Sequence, residues 1–90
     1  MGIVSLLCPG KRTPKERLER KIERAVKKVT RILSRYDLPP KIYEERGSSA
    51  THSALYEAYK EGRLAWTKLV EVIEITSQID FMRAILRGYS

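Results

Sequence analysis

TPKERLERKIERAVKKVTRILSRY, residues 13–36, is the longest strongly periodic stretch of the chain and holds most of its charge. Its apolar residues, Leu18, Ile22, Ala25, Val26, Val29, Ile32, Leu33 and Tyr36, recur at threes and fours, which places them on one stripe of an α-helix. Thr13 can accept the first free amide, Pro14 suits the first helical position and Glu16 follows the cap by three residues, so a capping box is predicted with the helix starting at Pro14. With a turn of about 100° per residue, Arg17, Arg20, Lys21, Arg24, Lys27, Lys28, Arg31 and Arg35 fall on a second face. Glu16, Glu19 and Glu23 line its edge, and Glu16 with Arg20 and Glu23 with Lys27 are spaced to pair.

The charge is local. Residues 11–36 hold 11 Lys or Arg against 3 Glu, whereas residues 37–90 hold 7 basic and 8 acidic groups, so the chain's +7 comes from residues 11–36. A basic face of this kind can be simply solvated. It also suits an anionic membrane surface or nucleic acid, because a lipid headgroup and a phosphodiester look alike to a guanidinium.

Ninety residues support one small domain with a thin core. A single cysteine, Cys8, permits no internal disulfide, and without a secretory signal pattern a reducing, cytoplasmic setting is the expectation. His52 is the only histidine, and neither it nor Cys8 stands in a metal-ligand spacing. No GxxxxGK or GxGxxG loop occurs. The expectation is a protein that is not an enzyme, with no cofactor, no metal and no small-molecule substrate.

Outward from the basic helix, residues 1–10, MGIVSLLCPG, form a short apolar N-terminal arm closed by Pro9-Gly10 and too short to span a bilayer. A myristoylation signal fails because Leu6 stands where Ser or Thr is required. Ile3, Val4, Leu6 and Leu7 are candidates for membrane insertion, or for packing back on the domain. After Tyr36, Pro39 and Pro40 break the helix, Ile42 and Tyr43 can pack inward from a short helical or extended piece, and Gly47-Ser48-Ser49 reads as a turn and N-cap. A short helix is predicted to follow, closed by Gly62.

From Arg63 to Leu86 there is neither proline nor glycine, and the apolar residues exceed one stripe. Trp66, Leu69, Val72, Ile73, Thr76 and Ile79 make one face, and Val70, Ile75, Phe81, Met82, Ile85 and Leu86 spread over the rest. The β-branched run at 72–79 would suit a strand, but length and the lack of turn signals favour helix. Apolar surface beyond what two other helices can cover implies self-association, with Val70, Ile75, Met82 and Ile85 as the candidate contacts. The reading is all-α: an amphipathic helical hairpin or kinked three-helix arrangement over residues 11–90, with helices at about 14–37, 49–61 and 63–87.

The apolar arm, the basic lead-in Lys11-Arg12-Thr13-Pro14, the long basic helix and the turn Tyr59-Lys60-Glu61-Gly62 with Ala65 beyond it resemble the N-terminal half of the ESCRT-III family. That family comprises membrane-remodelling filament proteins such as the charged multivesicular body proteins and the archaeal Cdv relatives. The resemblance implies a cytoplasmic, peripheral membrane protein that polymerises as a homo-oligomer or filament on anionic membrane. Pro39-Pro40 interrupts a helix that is continuous in the family, which favours the kinked form. The rival reading is a helical protein binding nucleic acid without sequence preference, since the basic helix itself carries no stacking aromatics on its charged face. A third is a structural subunit of a larger complex.

Overall fold

The computed structural model describes residues 13–89. Over them the chain forms α1 (Pro14–Arg35), α2 (Ile42–Lys60) and α3 (Trp66–Arg87), with no strand among the described residues. The predicted capping box opens α1: Thr13 Oγ1 accepts from the Glu16 amide at 3.1 Å, and Glu16 Oε1 accepts from the Thr13 amide at 2.9 Å. The far end is a Schellman motif in which Asp37 takes the left-handed position, φ 59. The Leu38 amide bonds Leu33 O at 2.9 Å and the Asp37 amide bonds Ser34 O at 3.3 Å. Leu38 and Leu33 are both buried there, so the turn is held by apolar contact as well as by hydrogen bonds.

The second helix departs from expectation. It starts at Ile42 instead of near residue 49, and Gly47, at φ 87 and ψ −174, breaks it into a single leading turn and a longer second piece. Only glycine occupies that backbone region without strain. The leading turn exists because Ile42 and Tyr43, both buried, anchor it to the core. Gly62, φ 79, ends α2 as predicted, with the Arg63 amide on Ala58 O at 2.9 Å. The third helix begins at Trp66, three residues later than the predicted Arg63, and ends at Arg87 as expected.

Both α1 and α2 pack on α3 and scarcely on each other. Lys28 lies 3.8 Å from Glu71, while Lys21 shares a groove with Met82, so α1 runs antiparallel to α3. Ser48 bonds Asp80, His52 bonds Thr76 at 2.8 Å and the Tyr59 ring lies 5.4 Å from Trp66, so α2 is antiparallel to α3 as well. Consequently α1 and α2 run parallel, and residues 36–41 carry the chain back alongside α1. The Arg63 guanidinium donates to Tyr36 O at 3.2 Å, tying the two C-terminal ends together. The arrangement is three-helical and kinked: α2 and α3 form an antiparallel hairpin, whereas α1 and α2 do not pair as one.

The core follows from this layout. From α1 it takes Ile22, Val29, Ile32 and Leu33, from α2 Leu55 and Ala58, and from α3 Leu69, Val72 and Ile79. Burial of such side chains contributes roughly 1.5–3 kcal/mol each before the opposing chain entropy. Two fully buried hydroxyls are satisfied internally: Thr51 donates to Gly47 O at 2.8 Å and Thr76 to Ile73 O at 2.9 Å.

Candidate nucleic-acid interface

The eight cations of the charged face of α1, Arg17, Arg20, Lys21, Arg24, Lys27, Lys28, Arg31 and Arg35, are all exposed. The cause is local: the apolar stripe that alternates with them turns inward onto α3, which rotates the charged residues outward. Lys28 alone of the eight forms an ion pair within the described residues, with Glu71 at 3.8 Å. The expected pair of Glu23 with Lys27 does not close, and Glu16 gives its carboxylate to the cap, where the Thr13 amide holds it. Lys28 itself is a weak partner, since Glu71 is already bonded by Lys68 at 2.8 Å, a contact that holds the Glu71 carboxyl below its usual range.

Two grooves flank the charged ridge. On the α3 side, Lys21, Arg24, Ala25 and Lys28 face Gln78, Phe81 and Met82 across a groove of about 500 Å³. It continues toward the start of α1, where Arg17, Leu18 and Lys21 meet Ile85 and Tyr89. On the α2 side, Lys27, Arg31 and Arg35 border a groove closed by Pro40, Lys41 and Glu44. The aromatic side chain missing from the charged face of α1 is thus supplied by α3. Phe81 is 67% exposed and Tyr89 45%. The sequence gives both residues but carries no local signal that a face of the last helix meets the basic one.

The candidate contacts for self-association divide. Ile75 and Met82 are half-buried and pack against the core. Val70 is half-buried and Ile85 is 41% exposed. A separate exposed aromatic group, Tyr56, Tyr59 and Trp66, surrounds the α2–α3 turn, with Lys60 5.5 Å over the Tyr56 ring. The candidates Ile3, Val4, Leu6 and Leu7, and Cys8, lie outside the described residues. His52 is half-buried, with Nε2 on Thr76 Oγ1 at 2.8 Å. Among the described residues no group of His, Asp or Glu is placed to hold a metal ion, and no helix is long and apolar enough to cross a membrane. Comparison with protein-family models, curated proteins and solved structures yields no match.

Proposed function

We propose that the protein is a non-enzymatic helical module that holds nucleic acid on the basic face of α1 without reading its sequence. The observation that carries this is the division of labour within α1. Seven of the eight exposed cations on its charged face have no carboxylate partner among the described residues, while Val29 and Leu33 on the opposite side are 1% and 0% exposed. A helix lying in a membrane interface sinks its apolar side into lipid. In α1 that side is core, so charge is what the helix offers a partner, along about 27 Å from Arg17 to Arg35. A linear phosphate backbone matches such a row, and the counterions it releases supply the driving force.

The test is fluorescence anisotropy of a labelled duplex over a salt series. The logarithm of affinity should fall linearly with that of salt, and Arg24→Gln with Arg31→Gln should lower the slope by roughly one per cation removed. Absence of binding at about 0.15 M salt, where screening acts within about 8 Å, would sink the reading.

A second reading follows the ESCRT-III resemblance: a self-assembling peripheral membrane-remodelling module on anionic membrane, cytoplasmic in location. It is favoured by Ile85 and Phe81, which stand exposed next to Arg17, Lys21 and Arg24 and could enter the headgroup layer shallowly. Each cation near such a surface is worth about 1 kcal/mol. Sedimentation with anionic and neutral vesicles, read alongside light scattering for oligomers, promotes it if anionic vesicles bind where nucleic acid does not.

A further inference from the structure

We propose that the seam between α1 and α3 is a site for single-stranded nucleic acid, in which Phe81 stacks on a base and Lys21, Arg24 and Lys28 hold flanking phosphates. This rests on the nucleic-acid reading above and narrows it to one strand form and one groove.

Among the described residues Phe81 is the most exposed of the large apolar side chains, at 67%, and the core has no use for it: Val72, Thr76 and Ile79 turn the buried side of α3 inward. It stands in a groove whose other wall is cationic, with Lys21, Arg24 and Lys28 one helical turn apart along α1. A flat π-face beside a row of positive charges complements one nucleotide after another, ring to base and cation to phosphate. Gln78, one turn before Phe81 on the same wall, adds an amide that both donates and accepts. Among the described residues no acidic side chain lines this groove, and Glu71, which lies 3.8 Å from Lys28, is engaged by Lys68 at 2.8 Å. Further along, Tyr89 and Ile85 continue the apolar wall opposite Arg17 and Lys21, so a strand leaving Phe81 stays between the same two chemistries. A duplex keeps its bases stacked on each other and offers Phe81 nothing, which is why the ring selects a single strand.

The experiment is anisotropy of labelled oligothymidylate and of a duplex of equal length, at about 0.15 M salt, with the wild-type chain, Phe81→Ala, and Lys21→Gln combined with Lys28→Gln. Phe81→Ala should weaken oligothymidylate binding about fivefold or more and leave the duplex unaffected. The lysine pair should weaken both. Because Phe81 is exposed, its melting midpoint should match wild type. Phe81→Trp made together with Trp66→Phe should retain affinity and show indole fluorescence quenched by oligothymidylate. Unchanged oligothymidylate binding by Phe81→Ala, or an equal loss on duplex and single strand, overturns the stacking site while charge-driven nucleic-acid binding stands. Binding to anionic vesicles with no binding to either nucleic acid overturns both.

Discussion

The Tyr43 hydroxyl donates a 2.6 Å hydrogen bond to Asp80 Oδ1, joining the leading turn of α2 to the middle of α3 across 37 residues of chain. Ser48, on the other side of the Gly47 break, donates to the second oxygen of the same carboxylate, and the Arg83 guanidinium lies 5.4 Å over the Tyr43 ring. Burial alone would raise the Asp80 carboxyl, but the bonds from Ser48 and Tyr43 and the charge of Arg83 outweigh it and hold it below its ordinary value. Tyr43 is pushed up to about 12, first by burial and then by its bond to Asp80 and the charge there.

Tyr43 should make the fold sensitive to alkali. Its folded value lies above the ordinary 10.0, so its contribution is complete below about pH 10 and is lost as pH rises toward about 12. The loss should be on the order of 2 kcal/mol. Chemical denaturation across that range should show it in the wild type, and Tyr43→Phe should flatten the profile; parallel profiles would refute the assignment.

Gly47→Ala should cost about 1–3 kcal/mol, the range for a backbone held in a region reserved for glycine. An added Cβ would meet nothing within 4 Å, so the cost is backbone strain at φ 87 and not collision. A thermal melt by circular dichroism measures it. An unchanged or raised midpoint would mean that α2 can straighten at no cost.

Val29→Asp should unfold the domain or lower its stability by about 3 kcal/mol or more, because a carboxylate there loses hydration without gaining a partner. Val29 is 1% exposed between α1 and α3. A midpoint within a degree or two of wild type would contradict the packing of α1 on α3.

Ile75→Lys with Met82→Lys should destabilise the fold by about 2–4 kcal/mol, since both side chains pack against the core and large-to-polar changes there uncover it. The measurement is a melt followed by light scattering. A variant that keeps its midpoint and merely becomes smaller would instead place these residues in an interface between copies.

What could be read in the sequence depended on how local the cause was. The capping box, the α1 stripe and the Gly62 end all arise from residues within one or two turns of each other, and the structure has them where the spacing put them. The leading turn at Ile42 was legible in part: inward packing of Ile42 and Tyr43 could be read, but Pro39-Pro40 and Gly47 both signal loop and the helix that buries the two residues is distant in sequence, so helix and extended backbone stayed open. The surplus of apolar residues on α3 was legible, but their fates were not. Ile75 and Met82 are half-buried against the core and Phe81 is left beside the lysines of α1, a distinction set by the rotation of one helix against another. Asp80 gave no sign of its role, because its two hydroxyl partners are remote in sequence.

Because α1 and α2 meet mainly through α3, the helix that leaves the ribosome after them is the one that both need. Until residues 66–87 emerge, the stripe from Leu18 to Tyr36 has nothing to close against, and a nascent chain would display it beside a dense positive field. Contacts between α1 and α3 close the longest loop in the described fold, so they carry a larger closure entropy than the local pairing of α2 with α3. Synthesis therefore imposes a delay during which the growing chain is exposed to chaperones and to polyanions such as ribosomal RNA.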